Sequence, residues 1–204
     1  MEALRAVPPD RSCRAGTLDN PLRRWLAPAA REVDRLDLAP GQTVADLGTG
    51  VGFYLPEIAR RIAPGGTIYA VDPDPGNLEV ARSRPVAGVR AVFLRGSAAQ
   101  APQIPDGSVD RVLLSLVLCC MWDKAGALDT AWRILRPGGR ALVTYPRAMK
   151  IGSRRRALRV SAEQWGTLVR QHPWTPRPVD SGLILRRNLI ERPRAGEPVP
   201  ARPP

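Results

Sequence analysis

The sequence predicts an α/β chain built on a mostly parallel sheet. Residues 44 to 54 pass from a short apolar strand, through three glycines, into a helical pattern. Beyond them strand-like and helix-like segments alternate as far as Tyr145, the order that gives a parallel sheet covered by helices. The length, 204 residues, suits one such domain with a core large enough to fold alone.

The glycine stretch organises the rest. Val44 to Leu47 is apolar apart from Asp46, and Gly48, Gly50 and Gly52 follow at once. Leu55, Ile58, Ala59 and Ile62 then recur at helix spacing. Strand, glycine turn and helix start form the context in which such glycines acquire meaning. Glycine permits positive φ and lets a ligand approach the backbone. The helix start presents free N–H groups. The spacing is G-x-G-x-G rather than the dinucleotide G-x-G-x-x-G, and an acid precedes it by two positions. Asp46 disfavours an anion here and favours a ligand that carries an amino group and no phosphate.

The remaining elements follow in order. Residues 1–16 lack periodicity and are expected to be flexible. Asp19 or Asn20 can cap a helix that has Pro21 in its first turn. A second helix is predicted over 29–36, and Pro40-Gly41 turns the chain into the first strand. Pro64-Gly65-Gly66 ends the helix after the glycines. Strand two covers 67–71 and ends in Asp72, followed by Pro73 and a helix over 75–82. Strand three covers 89–94 and leads to Gly96-Ser97-Ala98. Strand four is predicted over 111–118, a helix over 125–135, a tight turn at 136–139 and strand five over 140–145. Ser161 can cap a helix through Arg170. Strand-like Pro178-Val179 and residues 183–185 flank a turn signal at 180–182. Residues 191–204 are rich in Pro and Arg and are expected to be a disordered tail.

Asp46, Gly48, Gly50 and Gly52 closely resemble motif I of the class I S-adenosylmethionine (SAM) methyltransferases, D-x-G-x-G-x-G. Three further landmarks fall in register: Val71-Asp72, residues 94–110, and Leu135 with the Arg-Pro-Gly-Gly that follows it. Together they make residues 18–146 similar to the Methyltransferase-11 and ubiquinone/menaquinone-methyltransferase-like members of that class. The resemblance implies a Rossmann-like three-layer sandwich, mostly parallel, with an antiparallel last strand. It also implies one domain over 17–190, with 17–40 as a helical lid.

The same resemblance implies SAM as cofactor. Gly48, Gly50 and Gly52 would back its methionine portion, Asp46 orient its ammonium, and Asp72 bind its ribose. Ser97-Ala98 stands where the family commonly has Asp-Ala at the adenine; a neutral hydroxyl accepts a hydrogen bond more weakly than a carboxylate. Thr49, Tyr54, Pro73 and Ser115 complete the expected cofactor-binding set. The alternatives are Asp46 as a cap on the glycine loop and Asp72 as an exposed turn residue. Methyl transfer from a sulfonium is a direct displacement that needs alignment more than a dedicated residue, so no catalytic residue is assigned. Relatives often carry histidines near Cys119 and Cys120; here the only histidine is His172, far along the chain, and it is given a structural or surface role. The cysteines could line an acceptor pocket or pack as small hydrophobes. Their adjacency lacks metal-ligand spacing, so no metal is expected. Tyr54, Trp122 and Tyr145 are candidate pocket aromatics or ordinary core.

Net charge is +12, and residues 147–204 hold 13 Lys/Arg against 4 Asp/Glu. The basic excess, including Arg154, Arg155, Arg156 and Arg159, is either a solvated face or a grip on an anionic acceptor such as RNA. The expected function is methyl transfer to a small molecule. The alternatives are a protein or RNA acceptor, and a SAM-binding protein without catalysis. Three cysteines make no disulfide framework and no apolar run spans a bilayer, so a cytoplasmic location is expected.

Overall fold

The structure is a computed structural model that describes residue 19 and residues 21–147, 160–180, 182, 184–194 and 196–197. Strands β1 (Thr43–Leu47), β2 (Thr67–Asp72), β3 (Arg90–Arg95), β4 (Val109–Ser115) and β5 (Leu135–Pro146) run parallel. β7 (Leu185–Glu191) pairs antiparallel with both β5 and β6 (Thr175–Arg177). The resulting seven-stranded order is β3-β2-β1-β4-β5-β7-β6. Chain order reverses direction at β1, so the C-terminal ends of β1 and β4 flank the crevice where open α/β sheets bind ligands.

Helices cover both faces, which explains why the central strands read as nearly continuous apolar runs. Side chains alternate across a strand. Val44, Leu113 and Leu142 therefore pack with α3 (Leu55–Ile62), while Ala45, Leu114 and Val143 pack with α5 (Lys124–Ile134). The apolar residues of α3 foreseen from their spacing, Leu55, Ile58, Ala59 and Ile62, are its buried ones. α4 (Pro75–Arg82) is capped by Asp74, whose side chain accepts from the N–H groups of Gly76 and Asn77. α6 (Ala162–Val169) is capped by Ser161. The leader forms α1 (Pro21–Leu26) and α2 (Ala29–Asp34).

Several boundaries differ from the sequence reading. β4 stops at Ser115 instead of Leu118, because Leu116 adopts a φ of 61° and leaves the extended backbone. The expected tight turn at 136–139 belongs to β5. There Gly138 N–H donates to Arg192 O at 2.7 Å, and Arg192 N–H donates to Gly139 O at 2.9 Å. A register shift opposite Val109 and Arg111 absorbs the extra residues. The last hairpin forms between Thr175–Arg177 and Leu185–Glu191, so Asp180 and Gly182 of the expected turn lie inside a longer connection, and residue 181 lies outside the described residues. Glu191 is no part of a tail. It ends β7, is 2% exposed, and pairs with Arg140 and Arg177 at 2.8 Å each. Residues 1–16, Arg154 to Arg156, Arg159 and residues 198–204 lie outside the described residues.

In sequence the Leu-Arg-Arg-Asn start of β7 reads as solvated. Arg187 is instead buried, and its guanidinium holds Glu32 of α2, with Nη2 2.7 Å from Oε1. Glu32 is fully buried, so this pair fastens the leader to the sheet. Removing one partner of such a pair strands a charge in the interior. Glu32→Ala is expected to cost about 3–5 kcal/mol, and adding Arg187→Met should recover part of it. Urea denaturation of the two variants measures both effects.

Candidate functional site

The ends of the five parallel strands are laced together around the glycine turn. Gly48 and Thr49 N–H groups donate to Val71 O at 2.7 and 2.8 Å, binding the turn to the end of β2. Gly96 N–H donates to Asp72 O at 3.1 Å, which brings the Ser97-Ala98 loop beside Asp72. Leu116 N–H donates to Thr144 O at 2.8 Å, joining the ends of β4 and β5. The sequence-derived residues Asp46, Gly48, Thr49, Gly50, Gly52, Asp72, Pro73, Ser97 and Ala98 thus lie on neighbouring strand ends.

All three motif glycines have positive φ: 81° at Gly48, 55° at Gly50 and 72° at Gly52. Two of them also meet the protein itself. A Cβ on Gly48 would overlap the Val117 side chain, and one on Gly52 would lie 3.0 Å from the Ala81 backbone. Close helix–strand packing therefore demands these glycines, independently of any ligand.

The two acids differ in surroundings. Asp46 is 1% exposed and accepts from Thr49 Oγ1 at 2.7 Å. Asp72 is 7% exposed, which replaces the exposed-turn alternative with a buried carboxylate. Its Oδ2 accepts from Gly50 N–H at 2.9 Å; its Oδ1 accepts from Asp74 N–H at 3.0 Å and Asn77 Nδ2 at 3.3 Å. Burial pushes the Asp72 carboxyl above its ordinary value, against the pull of the Asp74 and Gly50 N–H groups and of Asn77.

The other expected members divide. Ser97 is half-buried, and its hydroxyl accepts from Ala99 N–H at 3.2 Å. Tyr54 and Ser115 face each other with their oxygens 2.8 Å apart and are 2% and 5% exposed, so they join α3 to β4 inside the protein. Tyr145 is fully buried against Trp165, a core position, while Trp122 is half-buried. Cys119 is buried and Cys120 half-buried on the turn after β4, their sulfurs 3.9 Å apart. His172 stacks on Trp132 at 4.8 Å and contacts Asp129 at 2.7 Å, away from the strand ends. Among the described residues, no three His, Cys, Asp or Glu side chains converge as metal ligands.

Three contributors escaped sequence reasoning. Val117 fills the space that Gly48 leaves open. Asn77 is 4% exposed and braces Asp72. Arg84, just past α4, donates through Nε to Val51 O at 3.0 Å, inside the glycine turn. For Asn77 a signal existed, its place three residues after the Asp74 cap. Arg84 carried none.

Residues 45–143 match the profile of the family described as "Methyltransferase domain". Residues 45–143 are a methyltransferase domain. A transposon-encoded 37.1 kDa protein of Streptomyces fradiae is 35% identical over 114 residues, 56% of this chain and 33% of that protein. Nocamycin O-methyltransferase of Saccharothrix syringae is 32% identical over 134 residues, 65% of this chain and 48% of the enzyme. The chain spans 28% of the length of an arsenite methyltransferase of Halobacterium salinarum and 53% of that of an aklanonic acid methyltransferase of a Streptomyces species. Among solved structures, a SAM-dependent methyltransferase from Aquifex aeolicus shares the fold. It has a TM-score of 0.74 at 20% identity, covering 86% of this chain and 95% of that one. No helix among the described residues of this methyltransferase domain is long and apolar enough to cross a membrane.

The raised pKa of Asp72 makes stability depend on pH. With rising pH, the unfolded chain loses this proton first, from about the ordinary 3.8, while the folded chain still holds it. The group's contribution therefore falls as pH climbs from that value through the raised one. Asp72→Asn is expected to remove this fall, seen as a flatter melting-temperature profile above about pH 3.8 than in the wild type.

Proposed function

We propose that the chain is a SAM-dependent methyltransferase whose acceptor is a small molecule. The observation that carries this reading is the pair Asp46 and Asp72, both buried, on either side of a positive-φ glycine turn at the switch point of the sheet. A dinucleotide would bring a pyrophosphate against these acids. A sulfonium ligand with an ammonium and a ribose brings donors that carboxylates accept. Kinship with an enzyme named as a nocamycin O-methyltransferase supports a small acceptor.

In this reading SAM supplies a methyl group on a positively charged sulfur, open to direct displacement. The chain's task is binding and alignment. Gly48, Gly50 and Gly52 keep the turn free of side chains beside the methionine portion. Asp46 holds the ammonium, directly or through water, and Asp72 accepts from the ribose while keeping Gly50 in place. Ser97 and Ala98 meet the adenine. The acceptor lies between the leader (17–40), the end of β4 and the C-terminal segment, with Cys119 and Cys120 on the turn that borders it. We place the protein in the reducing cytoplasm, where these thiols stay reduced.

Titration calorimetry should give one SAM per chain without added metal, and Asp72→Ala should weaken binding by about 1.5–3 kcal/mol, the cost of losing hydrogen bonds to a charged group. No binding by the wild type, or preference for NAD, would sink the proposal. Release of S-adenosylhomocysteine with pooled metabolites, peptides and RNA then identifies the acceptor class.

Ser97→Asp is expected to tighten SAM binding, because a carboxylate accepts the adenine amine more strongly than a hydroxyl. An unchanged dissociation constant would show that Ser97 does not face the adenine or that another group already serves it.

A further inference from the structure

We propose that Arg84 is a positioning residue that couples the leader to the glycine turn, so that docking of the leader and binding of the cofactor reinforce each other. The inference rests on the placement of SAM at the turn. Arg84 follows α4, and its backbone N–H donates to Ala81 O at 3.1 Å. Ala81 is the residue against which Gly52 packs, so Arg84 rises from the plate that supports the turn. Its guanidinium reaches in two directions. Nε donates to Val51 O at 3.0 Å, and Nη2 meets Asp19 Oδ2 at 2.7 Å. Asp19 also accepts from Arg24 of α1, from Nε on Oδ1 at 2.9 Å and from Nη2 on Oδ2 at 3.2 Å.

The contact to Val51 fixes a peptide whose two ends are both engaged. The carbonyl of Val51 points to Arg84, and the N–H of Gly52 donates to Thr49 O at 3.0 Å. The orientation of that peptide decides which face of the turn shows carbonyls and which stays open. Asp19 is one residue removed from α1, its side chain is 13% exposed, and that of Arg84 is 27% exposed. The pair is sheltered enough to hold a geometry that a solvated pair would not. Hydrogen bonds to Arg24 and Arg84 hold the Asp19 carboxyl below its ordinary value, the Arg24 bond contributing most. Asp19 is therefore ionised at neutral pH and the clasp is closed. Coupling between two sites is reciprocal, so whatever steadies the leader steadies the turn, and a ligand that steadies the turn protects the leader.

A double-mutant cycle tests this. Asp19→Asn removes the tether but leaves the contact to Val51; Arg84→Met removes both. Asp19→Asn, which leaves every residue assigned to SAM unchanged, is expected to raise the dissociation constant for SAM about 3- to 5-fold. Arg84→Met should raise it further, and the double variant should bind no worse than Arg84→Met alone. SAM should slow hydrogen exchange at amides of α1 in the wild type and fail to do so in Asp19→Asn. A purely structural role for Arg84 would leave that protection intact. Wild-type affinity in Asp19→Asn, or a double variant whose loss is the product of the single losses, would overturn the coupling. If the wild type bound no SAM, the cofactor assignment would fail first. The coupling would still be read without ligand, as faster exchange at residues 48–52 in Asp19→Asn, and unchanged exchange there would overturn it too.

Discussion

Asp72 stands at the C-terminal end of β2 with both carboxylate oxygens engaged, Oδ2 by Gly50 N–H and Oδ1 by Asp74 N–H and Asn77. These bonds connect three things: the glycine turn, the end of the strand, and the first turn of α4. A backbone amide in a positive-φ loop has no strand or helix to satisfy it, and a buried unsatisfied N–H costs about 1–3 kcal/mol. The carboxylate supplies that partner for Gly50. Its desolvation is unfavourable, as its raised pKa records, and three donors offset part of it. The site is thus preformed by the protein's own hydrogen bonds, and a ribose approaching Asp72 would add to them.

The second constraint is the packing beneath the turn. Gly48 lies against Val117, beyond β4, and Gly52 against Ala81 of α4. The two contacts pinch the turn between the switch-point strand and the helix after β2. A motif usually explained by what it binds is here equally explained by what it touches. The same economy governs Tyr54 and Ser115, whose mutual contact ties α3 to β4.

The abundant arginines of the described residues largely serve as internal fasteners. Arg187 holds Glu32, Arg140 and Arg177 share Glu191, Arg61 joins Glu57 to Asp34, and Arg35 reaches Asp180. Several of these pairs link the leader or the last strand to the central sheet. Arg111 extends the pattern without a carboxylate: it is 7% exposed and donates to Leu36 O at 2.6 Å, at the end of the leader. A guanidinium can satisfy several carbonyls and carboxylates from one planar group, which suits it to such joints. A high arginine count in this chain is therefore a poor guide to an anionic partner, since many of the described arginines are paired with carboxylates.

The sequence by itself determined the sheet core and the turn. Strands β1, β2 and β3, the span of α4, and the apolar stripe of α3 follow from local periodicity, from caps and from glycines that only certain backbone conformations require. Each of those signals lies within a few residues of the element it predicts. Only the tertiary structure decided where β4 ends, that 136–139 stay in β5, and that Glu191 is core. It also decided that Asp72 is buried and braced by Asn77, that Tyr54 and Tyr145 are packed inside, and that Arg84 bridges the turn and the leader. In each case the deciding partner is distant in sequence or on another element: Thr144 for Leu116, Arg192 for Gly138, Glu32 for Arg187, Asp19 for Arg84. A charged side chain reads as solvated until its counter-charge is located, and folding alone brings the two together.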